Sequence, residues 1–156
     1  MLIACAWGPQ HAAAQSASST FRVGAGVLQS CLVLASSLSF GNYSPGVQAT
    51  VPLDATGSVS IGCSVSSVQV TLGEGLDPDP SSTPIDPLRR MSVAGNYLNY
   101  NLYEDAARTI VWKDTLPGML VSGPFPLAVP IYGRVDAGQG PPLGVYSDTI
   151  LVTVNF

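Results

Sequence analysis

Apolar and polar residues alternate with a period of two along most of this chain. At the C-terminus, Ile150, Val152, Val154 and Phe156 alternate with Leu151, Thr153 and Asn155. Val59, Ile61, Cys63 and Val65 alternate with Ser60, Gly62 and Ser64. Val68, Val70 and Leu72 alternate with Gln69 and Thr71, and Leu98, Tyr100 and Leu102 with Asn99 and Asn101. Successive side chains of a strand point to opposite faces, so each run predicts a strand with one buried and one wet face. No helical period of useful length competes. Turn signals separate the runs at residues 42–46, 54–57, 73–75 and 138–142. Residues 76–87 hold four prolines and read as a surface loop. Pro126 and Pro130 mark residues 125–135 as an edge or bulged strand. Short strands at regular spacing predict one all-β sandwich domain, and the 156 residues leave no comfortable room for a second.

The wet faces carry Ser, Thr, Asn and Gln, which is why only 10% of the residues are charged although 46% are hydrophobic. Six Lys plus Arg are too few for a nucleic-acid surface. The net charge of −4 names no partner. No window holds enough consecutive apolar residues for a membrane-spanning helix.

Residues 1–15 read as an export leader, clipped at its start, with Ala12 and Ala14 flanking a cleavage site. The chain's one histidine, His11, would leave with it. A mature chain without histidine has no Ser-His-Asp or Cys-His nucleophile and no His-ligated metal. Cys5 would also leave, and a lipid on it is disfavoured because no hydrophobic segment precedes it. Cys31 and Cys63 remain. In an exported chain such a pair reads as one disulfide, worth about 3.5–4 kcal/mol for this separation; the alternative is two buried thiols.

Candidate chemical motifs fail on spacing. Asp77-Pro78-Asp79 begins like a calcium loop, but Ser82 and Leu88 stand where Gly and Glu are required. Gly24-Ala25-Gly26 lacks the third glycine of a dinucleotide site. There is no phosphate-binding Gly-Lys-Ser/Thr. Glu104-Asp105 reads as a solvated turn, and Asn42-Tyr43-Ser44 is a formal glycosylation sequon with Pro45 behind it. No catalytic residue, metal or cofactor is expected.

One stretch stands apart. In residues 20–28, Phe21, Val23, Ala25 and Val27 share one face and Thr20, Arg22, Gly24 and Gly26 the other. Nine extended residues span about 30 Å. The stretch follows a Ser/Ala tail and runs into Cys31 without a turn signal. Composition alone would make it the first strand of its own sandwich. The functional reading is a donor strand that pairs with a neighbour's open sheet edge.

From residue 21 to 156 the chain resembles the spore coat protein U domain family, which includes subunits of archaic, Csu-type chaperone–usher pili. The marks are Cys31 ahead of Leu38-Ser39-Phe40-Gly41-Asn42-Tyr43, then Val59-Ser60-Ile61-Gly62-Cys63 and Arg89-Arg90-Met91. They continue with Leu98-Asn99-Tyr100-Asn101-Leu102-Tyr103-Glu104-Asp105, Trp112, Ile131-Tyr132-Gly133, and Gly144-Val145-Tyr146-Ser147-Asp148-Thr149 before the terminal strand. Lys113 stands where a glycine is common in the family.

The resemblance implies an incomplete immunoglobulin-like Greek-key β-sandwich, residues 31–156, preceded by a donor-strand extension, residues 16–30. It implies a donor face of Phe21, Val23, Ala25 and Val27, and an acceptor groove bordered by Ile150, Val152, Val154 and Phe156. The implied partners are a periplasmic chaperone, an outer-membrane usher and other pilin subunits, and the implied destination is the cell surface. The function so implied is a non-enzymatic pilus subunit serving surface adhesion and biofilm formation. Rival readings are a pilus tip subunit, a spore or outer-coat structural protein, and a secreted hydrolase.

Overall fold

A computed structural model describes residues 18–156. The leader, its cleavage site, Cys5 and His11 lie outside the described residues. Eight strands form in chain order: β1 (Cys31–Ala35), β2 (Leu53–Cys63), β3 (Ser67–Leu72), β4 (Arg89–Val93), β5 (Asn96–Tyr103), β6 (Met119–Ser122), β7 (Leu127–Val135) and β8 (Val152–Asn155). No helix occurs among the described residues. Two antiparallel sheets face each other. One has the order β1-β2-β7-β5-β4 and the other β6-β3-β8.

The alternation predicts the inward faces well. Val59 and Ile61 of β2, Val68, Val70 and Leu72 of β3, and Leu98, Tyr100 and Leu102 of β5 are all buried. Trp112 ties the sheets together between them. Its backbone N–H donates to Leu102 O at 2.9 Å, and its indole Nε1–H donates to Val70 O at 3.2 Å. Cys31 and Cys63 are directly opposed between β1 and β2 and form the disulfide, half-buried at the margin of the core.

Three expectations are corrected. Residues 54–57 are not a turn but lie inside β2, which begins at Leu53. Gly57 serves a close approach instead, because an added Cβ would meet Leu38 Cβ at 3.1 Å. The C-terminal strand, expected over residues 150–156, is paired only over Val152–Asn155. The proline-bearing strand β7 lies in the middle of the larger sheet. It is nevertheless locally an edge, because β5 covers only Tyr132 to Val135 of it. Ser58, opposite Pro130, turns its N–H and C=O toward Ser36 on the β1 side. Residues opposed in such a pair exchange no hydrogen bonds. The missing N–H of Pro130 therefore faces the half of β7 that has no second neighbour, where a proline costs no ladder bond.

Candidate functional site

The two sheets do not close. Between them lies a groove of about 850 Å³. Its floor is core: Leu72, Leu98, Tyr100, Leu102, Ile131 and Val135. One wall is residues 36–43, which leave β1 without joining a sheet. The other wall is residues 146–152, leading into β8.

The first wall is seated by glycines. Leu38 and Phe40 come down onto β2 and β7 where Gly57 and Gly133 leave room; a Cβ at Gly133 would lie 2.8 Å from Phe40 Cζ and 3.1 Å from Leu38 Cδ1. Phe40 then meets Tyr100 edge to face, with centroids 5.8 Å apart. Farther along, Gln139 N–H donates to Tyr43 Oη at 3.0 Å, and the Gln139 side chain bridges both backbone groups of Asn99. The wall is pinned to the sheet at that end too.

Asp148 holds the second wall. Its carboxylate accepts from Tyr100 Oη at 2.7 Å, from Leu76 N–H at 2.8 Å and from Thr149 N–H at 2.7 Å. Burial, and then the bond to Asp148, push the Tyr100 phenol above its ordinary 10.0. Gly75 has φ +97°, and an added Cβ there would run into the Asp148 carboxylate. Behind this corner Arg89 is 1% exposed. Its guanidinium donates to the carbonyls of Leu72, Gly73 and Trp112 and to Asn101 Oδ1, at 2.7–2.8 Å. Burial lowers its pKa to about 10, so it stays charged at neutral pH.

Beside the groove, β8 has β3 on one side and no strand on the other among the described residues. Gly73 N–H donates to Leu151 O, so Leu151, Thr153 and Asn155 turn their backbone groups to β3. By alternation, Ile150, Val152 and Val154 present N–H and C=O to the open side. The same residues point their side chains inward and pack on the core. A strand laid here would meet free hydrogen-bonding groups and apolar surface together.

Of the four expected groove-edge residues, Ile150 and Val152 line the groove. Val154 packs on the core without lining it. Phe156 follows the end of β8 and is 57% exposed. The expected donor residues Phe21, Val23, Ala25 and Val27 are all exposed, in an extension paired with no strand and lining no part of the groove. The structure does not bring the two sets together within one chain. The wall residues Leu38, Phe40 and Tyr43, and the anchor Asp148, served in the sequence only as marks of the family. Among the described residues no group of three or more His, Cys, Asp or Glu could hold a metal ion. Glu104 is partly buried and half of a turn, while Asp105 accepts from the N–H groups of Thr109 and Ile110, as a loop-capping carboxylate does.

Residues 17–153 match the Spore Coat Protein U domain. The chain is 43% identical over 129 residues to Protein U of Myxococcus xanthus, a span covering 76% of this chain and 71% of that protein. Its fold resembles a chain in the crystal structure of the CsuC–CsuE chaperone–tip adhesion subunit pre-assembly complex from archaic chaperone–usher Csu pili of Acinetobacter baumannii. The TM-score is 0.56 at 23% identity, covering 83% of this chain and 40% of that one. The sandwich is thus immunoglobulin-like and lacks a strand beside β8, and the chain belongs to the Spore Coat Protein U domain family.

Proposed function

We propose that this chain is a structural, non-enzymatic subunit of a surface pilus, in which residues 20–28 of one copy fill the groove of the next. The observation that carries the reading is the pairing of two unsatisfied features. An apolar groove lies open beside the unpaired edge of β8, and an alternating extension stands fully exposed ahead of β1. Phe21, Val23 and Val27 would each contribute ~1.5–3 kcal/mol on burial, with backbone bonds to Ile150, Val152 and Val154 in addition.

The root of the extension favours a second copy over the chain's own groove. Ser30 is fixed to Ser64 through both backbone groups, at 2.9 and 3.0 Å, which leaves only Gln29 free before it. The tightest reversal there would set Leu28 opposite Cys31. Opposed residues share a face, so Gly24 and Gly26 would turn inward and Phe21, Val23 and Val27 outward. Donor and acceptor are different surfaces, so the contact does not close and builds a filament.

On this reading, residues 1–15 are an export leader, residues 16–30 the donor segment and residues 31–156 the pilin domain. An unpaired sheet edge is an aggregation hazard, so a periplasmic chaperone would cover it until an outer-membrane usher exchanges it for a subunit. The assembled fibre stands on the cell surface and serves attachment and biofilm formation. The name of the family, and 43% identity to Protein U, favour a second reading in which the same polymer forms part of a spore or outer coat. Deleting residues 20–28 tests the assembly common to both. The truncated chain should remain in a soluble complex with its chaperone and form no fibres; fibres from it would overturn the donor assignment. Immunogold labelling of intact cells then separates surface fibre from coat.

A further inference from the structure

Among the exposed apolar residues of the described chain, two patches flank the joint that strand exchange would make. The first is on the outer face of the larger sheet, at the end from which the extension leaves. Leu32 and Leu34 of β1 are 62% and 61% exposed. They sit beside Gly62 and Ser60 of β2, with Pro126 and Ala128 in the next column, and this corner carries no charge. The charged cluster of that face, Asp54 with Arg108 and Arg134, lies at its other end. The second patch is in the loop at the groove rim, where Leu143 is fully exposed and Val145 is 86% exposed.

The linker brings these patches together. Every ladder among the described residues is antiparallel, and antiparallel pairing is the more stable per residue. A donor strand antiparallel to β8 places Leu28 near Ile150 of the accepting copy, five residues past Val145 of its rim loop. Only Gln29 and Ser30 then separate Leu28 from Cys31, three residue steps with a reach of at most about 11 Å. This short tether holds the corner bearing Leu32 and Leu34 on the partner's Pro141–Val145 side of the groove.

We propose that Leu32 and Leu34 of one copy dock on Leu143 and Val145 of the copy that holds its N-terminal strand, making a second contact at each joint of the fibre. The proposal rests on the strand-exchange reading and adds a contact that reading does not require. The occupant is a second copy of this chain because the tether delivers it, and because the patches adjoin the two ends of one junction.

Cysteine pairs test it in the full chain, assembled with its chaperone under oxidising conditions. L34C/L143C and L32C/V145C are made together with each single variant. The expected result is a ladder of covalent multimers on non-reducing gels from at least one double variant, lost on reduction and absent from the singles. Fibres that form normally without a ladder from either double variant overturn the contact and leave strand exchange standing. Covalent dimers from L34C or L32C alone show the patch pairing with itself and also overturn it. A full chain that forms no polymer under any condition overturns both readings at once.

Discussion

Arg89 is a charge buried without an ion pair among the described residues, balanced by three main-chain carbonyls and one amide oxygen. The planar fork of arginine reaches acceptors on both sheets, which a lysine ammonium on a single stem cannot do. Arg89→Lys and Arg89→Met should therefore both destabilise, by about 3 kcal/mol, since each strands buried acceptors. Equilibrium denaturation would show it, and a lysine variant of native stability would refute the account. Asp54 shows how little an exposed ion pair contributes. The hydrogen bond from Arg134 is the main cause of its lowered pKa, helped by the charge of Arg108 against a burial cost. A carboxylate held below its ordinary 3.8 stabilises the fold above that pH, and the contribution is lost as the pH falls through the folded value. The gap between the native chain and Asp54→Asn should thus be present at neutral pH, stay under about 1 kcal/mol, begin to close near pH 3.8 and vanish once the pH is below the folded value. A gap that widens in acid would mean that the Asp54 carboxylate is destabilised, not stabilised, by the fold.

At the scale of elements, the groove wall depends on two glycines in neighbouring strands. Gly133→Val would put a branched side chain where Phe40 and Leu38 now sit. Overpacking of this kind costs about 1–3 kcal/mol. The nuclear Overhauser contacts between the Phe40 and Tyr100 rings should be lost while amide protection of the ladder between β2 and β7 is kept; loss of that ladder's protection as well would mean the glycine supports the sheet rather than the wall. The same glycines show what a sequence reveals and what it hides. Alternation located the inward faces of β2, β3, β5 and β8 because burial on one face acts on every second residue. Gly57 read as a turn because a glycine required by a side chain from β1's continuation looks, along the chain, like one required by backbone freedom. Short β6 carries too few alternations to register. Pro130 reads as an edge signal, and that is right only for the half of β7 that β5 leaves uncovered. Residues 36–43 give no strand signal because no strand pairs with them, and that is what makes them a groove wall.

For the whole molecule, on the strand-exchange reading proposed above, the sandwich lacks one strand and the chain carries the replacement at the wrong end of its own fold. Moving that replacement tests the reading directly. Deleting residues 20–28 from the N-terminus and appending them after Phe156 through a flexible linker lets the strand turn back along the open edge of β8. The linker lies close to the site, so the strand binds at high effective concentration and no second copy is needed. The product should be a soluble monomer without a chaperone, more stable than the truncated chain by several kcal/mol from the burial of Phe21, Val23 and Val27. Val23→Glu in the grafted strand should remove most of that gain, since a carboxylate would enter an apolar groove without a partner. A graft that stays aggregated, or melts where the truncated chain does, would mean that the groove is not the vacancy this strand fills.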